Sequence, residues 1–530
     1  MRLRRAALAG ALLLSVAVAP PKAAARVILF GIDGGSWPLV DRGIAAGELP
    51  NLAALAARGV TAEMTTVEPV ISPVVWTSIA TGRSPAVHGV TDFFRNRTHV
   101  RVPTVFERLA ARGQRVGLYE YLVTWPPRTL PNGFVIPDWL RRDDRVTPPD
   151  VFARAGLAPY FYRVDGVNTL ADFAANAQRE AREKPQHFTQ LASAFQLDVG
   201  AVTFYSADAT GHRFWRAAFP ADFDPPQPSA EEARFPNTIG ETLRGIDTAL
   251  GQVVASLGPD DAIVVVSDHG FQADPKTIRV WTTRVGERLG DLGLADVRDA
   301  FEIDGAFLAL TLRVLPGPAE LREPALAQVV AALESLHGAG GEALLDVDVF
   351  EVAERPYEAR PSLWRRLRAA AVRLVMTQFY GIGLDRPAYA YVVARPRDAA
   401  LAAVWPDGEI TAGARRFRAS ELFGRDDFTG RHHETALFLA AGGPIAHVAA
   451  RDRVSVLDVA PLLFHLAGAP VPDDLEGAVP ARLLDPAKLA ATPIRVASAA
   501  ELPGLPPEAA GAEVDDAVLM ERLRALGYAQ

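Results

Sequence analysis

The chain has 530 residues, of which 49% are hydrophobic and 22% are charged, and its formal net charge is −8. A chain of this length and composition is expected to bury a large apolar core, in roughly two to four domains or in one large α/β domain with insertions. The acidic balance argues against a groove that binds nucleic acid. The absence of cysteine excludes disulfides, thiolate catalysis, cysteine-ligated zinc and a lipoprotein-type anchor, so any transition-metal ligands must come from histidine and carboxylate.

The first 25 residues have the pattern of a secretory signal. Arg2, Arg4 and Arg5 form a basic start, residues 6–19 are apolar, and residues 23–25 offer a small-residue cleavage site. The apolar run is short for a membrane span. A cleaved signal is therefore favoured over an uncleaved anchor, which predicts a periplasmic or secreted protein that contacts a membrane only if the segment is retained.

In chain order, apolar runs of strand length alternate with segments of helical periodicity. Strands are predicted at 27–32, about 62–67, 116–118, 199–205, between 260 and 270, and at 437–440; helices are predicted at about 50–58, 73–80, 240–257 and 456–466. The continuous β-branched runs are typical of strands that are buried on both faces of a parallel sheet. The sequence therefore predicts an α/β fold with a mostly parallel central sheet.

Two stretches interrupt this alternation. Residues 120–195 are irregular and rich in proline and aromatic residues, which favours an elaboration beside the site. Beyond about 275, a strand at 301–312 and helices at 324–336 and 362–375 indicate an inserted cap subdomain, and a final helix is expected at 514–526. The predicted domains are a signal at 1–25, a catalytic core at 26–275 and 430–490, a cap at 276–429, and a carboxyl-terminal wrap and helix at 491–530.

Acidic and imidazole side chains follow three of the predicted strands. Asp33 follows the first strand, Asp208 the fourth, and the pair Asp268–His269 the fifth. The carboxyl ends of parallel strands share one edge of a sheet, where the chemistry of open α/β folds is found. His212 stands four residues after Asp208, so one helical turn would bring both side chains to one face. A single Asp–His pair is as readily a buried ion pair or a turn residue, but the recurrence favours a metal site.

Two further residue types complete this chemistry. His432 or His433, just ahead of the strand at 437–440, brings the inventory to three aspartates and three histidines, which suits two zinc-like ions. Ser72, followed by Pro73, has the pattern of a helix N-cap. The same hydroxyl beside a divalent cation would be a nucleophile, and the capping and nucleophilic roles are compatible.

Several strings in the sequence carry a resemblance to a known family. They are Ile32-Asp33-Gly34, Ser267-Asp268-His269-Gly270 and the segments 72–82, 85–90, 208–212, 457–461 and 475–477. Together they resemble the alkaline phosphatase superfamily, in the branch of type I phosphodiesterases and nucleotide pyrophosphatases, over about 26–275 and 430–480. The resemblance implies a three-layer α/β/α sandwich with an inserted cap, and a metal-dependent hydrolase that cleaves small phosphodiesters or phosphomonoesters.

The resemblance also implies a ligand set and a mechanism. One of two divalent cations, for which zinc is expected and manganese or iron are alternatives, would be held by Asp33, Ser72, Asp268 and His269, and the other by Asp208, His212 and His432. The resemblance favours His432 over His433, because the family histidine precedes the following strand by the interval that His432 has, and only one of the two is expected to be a ligand because adjacent side chains on extended backbone point apart. Ser72 would attack phosphorus in line and form a covalent phosphoryl-enzyme, which water then hydrolyses.

The sequence departs from the family at one position that bears on substrate. Phe93 stands where nucleotide pyrophosphatases carry an asparagine that binds phosphate, which disfavours nucleotides. Phe93 and Arg95 are the predicted substrate-binding residues, with Arg97 nearby, and His88 is predicted to be structural. The Ser-x-Pro-x-Arg string of sulfatases is absent after Ser72, so a sulfatase is disfavoured.

Two other functions are compatible with the same fold. One is a phosphotransferase that moves head groups between lipid or glycan acceptors, and the other is a non-catalytic protein that retains the metal site. The expected partner is a small phosphorylated molecule, and no sequence pattern specifies an oligomeric state.

Overall fold

The computed structural model describes residues 25–506, apart from 168, 224–227, 275–278, 307–308, 352–387, 406, 427 and 449, together with 519, 522 and 523. The predicted signal (except residue 25), the predicted helix at 362–375 and most of the predicted helix at 514–526 lie outside these residues. Among the helices in the described ranges, none has both the length and the apolar composition to cross a bilayer.

The part of the chain before the insertion alternates strands with helices. Its strands are β1 (Val27–Ile32), β2 (Val60–Thr65), β3 (Val116–Tyr119), β4 (Phe134–Ile136), β5 (Val199–Phe204), β6 (Ala262–Val266) and β7 (Gly270–Ala273). Its α-helices are α1 (Trp37–Ala45), α2 (Pro50–Arg58), α3 (Ser72–Thr81), α4 (Pro85–His88), α5 (Val105–Ala111), α6 (Val151–Arg154), α7 (Leu170–Ala194), α8 (Ser206–Ala218) and α9 (Thr238–Ala255).

Helix α7 is the main correction in this part, because residues 120–195 were predicted to be irregular. Its 25 residues begin with a capping box, in which Thr169 Oγ1 accepts from Asp172 N and the Asp172 carboxylate accepts from Thr169 N. Pro185 lies inside the helix and obscured the pattern, yet Phe188 and Leu191 lie on its buried side at helical spacing. Packing of this apolar side overrides the local cost of the proline.

The insertion has its own sheets and its own core. It contains β8 (Arg279–Trp281), β9 (Phe301–Ala306), β10 (Leu310–Val314), β11 (Leu336–Gly338), β12 (Leu345–Glu351), β13 (Ala390–Pro396), β14 (Glu409–Ala412), β15 (Arg415–Arg418) and β16 (Gly424–Asp426). Its helices are α10 (Thr283–Glu287), α11 (Ala319–Glu334), α12 (Asp398–Val404) and α13 (Ala419–Leu422). A four-stranded antiparallel sheet, β12-β13-β10-β9, packs with α11 around a separate apolar cluster that includes Leu312, Val329 and Val392.

Two predicted elements of the insertion have different bounds in the structure. The strand predicted at 301–312 is a pair of strands, β9 and β10, that turn back on each other. The helix predicted from Pro324 begins at Ala319, with Pro324 inside it. The remaining elements follow the insertion: β17 (Gly430–His433), β18 (Thr435–Gly442), β19 (Asp452–Ser455), β20 (Val471–Pro472), β21 (Val496–Ala497), α14 (Val459–Leu466) and α15 (Pro486–Ala491).

The central sheet has eight strands in the order β19-β2-β18-β6-β1-β5-β3-β4. Strand β1 pairs in parallel with β5 and β6, and only β18 among the strands of this sheet runs antiparallel to its neighbours. Helices α2, α7, α8 and α9 pack together in one layer and α3, α5 and α14 in another. The mostly parallel three-layer α/β/α architecture predicted from the sequence is therefore confirmed.

Strand register brings the predicted site residues to one edge. Ile32 pairs with Phe204 in the register of β1 and β5, and Gly31 pairs with Val266 in that of β1 and β6. The backbone therefore leaves the sheet at adjacent points, ahead of Asp33, Asp208 and Asp268. Gly31 lets α3 approach β1 closely, since a Cβ there would lie 2.6 Å from the Trp76 ring.

Candidate metal centre

Asp33 lies directly after β1 and is 2% exposed. Its two carboxylate oxygens face different partners on α3: the Trp76 Nε1–H donates to Oδ2 at 3.1 Å, and the Ser72 hydroxyl donates to Oδ1 at 3.3 Å. Helix α3 therefore fixes the orientation of the carboxylate from one side.

Asp268 and His269 follow β6 and complete a first cluster with Asp33. The Gly34 N–H donates to Asp268 Oδ1 at 3.2 Å, whereas the buried Asp268 Oδ2 accepts no hydrogen bond from the described residues. This oxygen lies 3.3 Å from His269 Nε2, which in turn lies 3.6 Å from Asp33 Oδ1. The three side chains offer ligand atoms that all lie within 4.8 Å of one another, the spacing expected around one cation.

Asp208, His212 and His432 form a second cluster. Asp208 and His212 lie one turn apart on α8, and the pairing of β17 with β7 brings His432 to the same place from the far side of the insertion. His432 Nε2 lies 3.1 Å from Asp208 Oδ1 and 3.0 Å from His212 Nε2, and His212 Nε2 lies 3.3 Å from Asp208 Oδ1. These ligand atoms again lie within 4.8 Å of one another.

The two clusters adjoin. His269 Nε2 lies 3.9 Å from Asp208 Oδ1, and the His269 and His432 rings stack with their centroids 3.5 Å apart. The two clusters are therefore close enough for both to contact the same small molecule.

All three imidazoles have one nitrogen anchored on the backbone. The Nδ1 atoms of His212, His269 and His432 lie 3.0, 3.1 and 2.8 Å from the carbonyl oxygens of Gly430, Gly270 and Val70, respectively. Since a carbonyl only accepts, we assign the proton to each Nδ1, which leaves the Nε2 lone pair facing the cluster. This arrangement is typical of histidines that bind a metal, and the residues therefore fit divalent cations.

Burial and mutual repulsion dominate the electrostatics of the first cluster. Burial, together with Asp268 and Asp208, raises the pKa of Asp33 well above its ordinary value, and burial with Asp208 raises the pKa of Asp268 to about 7. Burial and the positive charge of His432 lower the pKa of His269. The cluster thus concentrates buried negative charge that a divalent cation would neutralise.

The second cluster has the opposite balance. Burial alone would raise the pKa of Asp208, but His212 and His432 outweigh it and hold that pKa well below its ordinary value. Burial lowers the pKa of His212 against the attraction of Asp208. For His432, burial also acts to lower the pKa, but the hydrogen bond to Asp208, the negative charges of Asp208 and Asp268 and the contact with the Val70 carbonyl together outweigh it, so the pKa is raised. One carboxylate with two imidazoles is a ligand set that suits zinc.

Ser72 is not the N-cap that the sequence predicted. It is the first residue of α3, the N-cap is Ile71, and the Ser72 side chain makes no capping hydrogen bond. Pro73 is tolerated one position further into the first turn than expected, since that turn has no intrahelical acceptor for its N–H. The hydroxyl instead lies between the first cluster's ligands, 3.3 Å from Asp33 Oδ1 and 3.4 Å from His269 Nε2.

The two adjacent histidines of β17 lie in different environments. His432 belongs to the second cluster, whereas His433 Nδ1 accepts a hydrogen bond from Thr435 N at 3.0 Å. His88 is fully buried away from both clusters' ligand sets: its Nδ1 accepts from Val90 N at 3.1 Å, and its Nε2 lies 2.9 Å from Ser78 Oγ.

Phe93 and Arg95, the predicted substrate-binding residues, are half-buried in a loop after α4. Phe93 packs against Trp139 with ring centroids 6.2 Å apart, and the Arg95 Nε lies 3.5 Å from an Asp92 carboxylate oxygen. The nearby Arg97 donates from its side chain to the Pro126 carbonyl. The role of Phe93 and Arg95 in substrate binding stays a prediction.

Two residues that support the site were not predicted. Trp76 orients Asp33; it lies within the matching string 72–82, but no role was predicted for it. Phe271 lies against the rings of His212, His269 and His432 at centroid distances of 4.8, 6.0 and 5.5 Å. The one sequence signal for Phe271 is its place directly after the Ser-Asp-His-Gly string.

The fold and the two clusters at the carboxyl edge of its sheet, taken with the family match, are those of a phosphoric ester hydrolase with candidate metal ligands. The family is also defined: the model for "Type I phosphodiesterase / nucleotide pyrophosphatase" matches residues 27–300, more than half of the chain, and the chain belongs to this family, a branch of the alkaline phosphatase superfamily. No curated protein matches the sequence. Among solved structures 230 chains match. One is human ectonucleotide pyrophosphatase / phosphodiesterase 5, with 14% identity, a TM-score of 0.45, and coverage of 87% of this chain and 100% of that one.

Proposed function

We propose that the protein hydrolyses small phosphate esters, either diesters or monoesters, with Ser72 as the nucleophile. The observation that carries this proposal is the position of Ser72 Oγ, 3.3 Å from Asp33 Oδ1 and 3.4 Å from His269 Nε2, within a cluster of candidate ligands and with a second cluster adjoining it. A serine that only capped a helix would have no need of these partners.

The proposed ligands are the seven side chains predicted from the sequence. They are Asp33, Ser72, Asp268 and His269 for one ion, and Asp208, His212 and His432 for the other. Two divalent cations, with zinc expected from the mixture of imidazole and carboxylate, fit the buried charge and the directed Nε2 atoms described above. When bound, the ions supply positive charge that stabilises the charge developing on the phosphate oxygens.

The chain's own residues account for the orientation of the nucleophile. Asp33 Oδ1 accepts the hydrogen bond of the Ser72 hydroxyl, while Trp76 holds Asp33 Oδ2 and so keeps that carboxylate aimed at the serine. In the first step the bond from Ser72 Oγ to phosphorus forms, the bond from phosphorus to the leaving oxygen breaks, and the leaving oxygen departs as an alcohol with the proton that the hydroxyl gives up. In the second step water attacks phosphorus, and the bond to Ser72 Oγ breaks to regenerate the hydroxyl.

The N-terminus of α3 also favours a phosphoryl group on Ser72. Ser72 is its first residue, so the positive end of the helix dipole lies beside the position where the phosphoryl group would be attached.

We also propose export to the periplasm or the exterior, a proposal supported by the signal pattern of residues 1–25.

Two aryl phosphates test the proposal directly. The protein is purified with its metal, and hydrolysis of bis(4-nitrophenyl) phosphate and of 4-nitrophenyl phosphate is followed with and without a chelator. Turnover of at least one ester that the chelator abolishes and added Zn²⁺ restores is the expected result. Absence of turnover of both esters by protein that contains two ions per chain would contradict the proposal and favour a phosphotransferase or a non-catalytic protein.

A further inference from the structure

Helix α8, which carries Asp208 and His212, begins against a carboxylate from another helix. The Glu180 carboxylate on α7 accepts hydrogen bonds from Tyr205 N at 3.0 Å and from Ser206 N at 2.8 Å. Tyr205 is the N-cap of α8 and has no side-chain capping bond. Glu180 therefore supplies, from 25 residues away in the chain, the acceptor that the local sequence does not, and it places a negative charge at the positive end of the helix.

Glu180 is part of a buried charged network. Lys184, also on α7, lies 2.5 Å from Glu180 Oε1 and 2.7 Å from Glu120 Oε2, and all three side chains are fully buried. Lys184 also donates to the Thr203 carbonyl at 2.6 Å. The network thus forms hydrogen bonds with the last residues of β5 and with the start of α8. This junction sets the position of Asp208.

The third member ties the network to a second segment of the chain. Glu120, just beyond β3, accepts from Tyr162 N at 2.5 Å, and its backbone carbonyl accepts from the Tyr205 hydroxyl. The junction of β5 and α8 is therefore held by charged or polar contacts from α7 and from the segment after β3.

We propose that Glu180, Lys184 and Glu120 are positioning residues for the second cluster, and that Glu180 sets the affinity of Asp208, His212 and His432 for their cation by fixing the start of α8. The inference rests on the proposed function. Residues that orient metal ligands from behind commonly change metal affinity by about 10–100-fold when they are replaced. A buried ion pair is weak evidence for stability by itself, so stability alone does not account for this network.

The chain provides a matched control for this inference. Asp247 on α9 is 1% exposed and accepts from Leu52 N at 2.7 Å and Asn51 N at 3.1 Å, in the first turn of α2. It is thus another buried carboxylate that caps a helix from outside, but α2 carries no candidate ligand. E180Q and D247N each remove one buried negative charge from a helix N-terminus, and E180Q leaves Lys184 paired with Glu120.

The experiment is a calorimetric titration of the chelator-treated proteins with Zn²⁺, with Co²⁺ absorption as a second readout. For wild type we expect two ions per chain. For E180Q we expect one of the two ions to bind 10-fold or more weakly, with an altered Co²⁺ absorption band, and the other to bind as in wild type. For D247N we expect both affinities and the Co²⁺ spectrum to match wild type, although its metal-free stability falls as in E180Q.

Each other outcome has a defined meaning. Equal changes in E180Q and D247N, or unchanged affinities in both, overturn the inference and leave the network a purely structural feature. If E180Q does not fold, E120Q is titrated instead: weaker binding of one of the two ions supports the inference, and unchanged Zn²⁺ affinity overturns it. If wild type itself binds no Zn²⁺ or Co²⁺, the proposed function fails rather than the inference about Glu180.

Discussion

The Nε2 atoms of His212 and His432 lie 3.0 Å apart, although the residues are 220 positions apart in the chain. Both rings have Nδ1 on a backbone carbonyl, so the two lone pairs face each other and repel unless a cation or a proton lies between them. The pairing of β17 with β7, which closes the insertion, creates this contact. The second cluster therefore combines ligands from before the insertion with one from after it.

The neighbouring histidines of β17 give the first prediction. In H432A, we expect the metal content of purified protein to fall from two ions per chain to about one, because the second cluster loses one of its three ligands. The matched variant H433A removes a ring that accepts from Thr435 N and that lies in neither cluster of the described residues, and we expect it to keep both ions. Elemental analysis of the two variants is the measurement. Loss of an ion from H433A and not from H432A would reverse the assignment.

The serine at the start of α3 gives the second prediction. We expect S72A to lower kcat by roughly three orders of magnitude or more while both ions stay bound, since three side chains remain for the first ion. S78A is the control, because Ser78 lies on the same helix, is fully buried and contacts His88. S78A is expected to lose stability but keep kcat within a few-fold. Residual activity of more than a few per cent in S72A would exclude Ser72 as the nucleophile.

The positions of the aspartates were predictable from the sequence because they depend on one regularity. Asp33, Asp208 and Asp268 each follow a buried strand, and strands that run parallel end at the same edge. Alternation on extended backbone likewise predicts that only one of His432 and His433 joins the site, and the choice of His432 came from the resemblance to the family. The structure brings these residues together as expected, and their role as ligands stays a prediction.

Contacts between distant segments could not be predicted in the same way. The pairing of Trp76 with Asp33 depends on how closely α3 approaches β1, and the capping of α8 by Glu180 depends on the packing of α7. The helix from 170 to 194 was missed because Pro185 breaks its local pattern while its packing does not. The N-cap was predicted one residue too late because Pro73 occupies the second helical position instead of the first.

The charge of the first cluster gives the third prediction. In metal-free protein at pH 8, we expect D268N to be more stable than wild type by a few kcal/mol, on the order of the cost implied by a pKa raised to about 7. Asparagine can still accept from Gly34 N, and its amide can donate to His269 Nε2, whereas Asp268 Oδ2 accepts no hydrogen bond from the part of the chain that the structure describes. Zn²⁺ should reverse the order, because it stabilises wild type and binds the variant weakly.

Urea unfolding with and without Zn²⁺ measures both effects. D247N is the control, since Asp247 is a buried carboxylate that accepts from Leu52 N and Asn51 N outside the two clusters. We expect D247N to be less stable than wild type in both conditions and to keep the full stabilisation by Zn²⁺. Metal-free D268N that is less stable than wild type would show that repulsion among the carboxylates is not a dominant cost.

The buried histidine of α4 gives the last prediction, on pH. Burial lowers the pKa of His88 to about 3. Protonation of Nδ1 would also remove the acceptor of the Val90 N–H and place two N–H groups against each other. As pH falls below about 6.5, the unfolded chain binds this proton while the folded chain does not, so stability is lost. Between pH 7 and pH 5 this residue should cost about 2 kcal/mol, and the loss should level off near pH 3.

Comparison with H88N isolates this contribution. The asparagine carbonyl can still accept from Val90 N, but the side chain does not titrate, so the variant should lose about 2 kcal/mol less than wild type between pH 7 and pH 5. Both proteins are unfolded with urea in the presence of a chelator, so that loss of metal at low pH does not contribute. If the free energy of unfolding changes with pH in the same way for the two proteins, His88 is protonated in the folded state. The fold would then depend on the contact of His88 with Ser78 and not on a neutral ring.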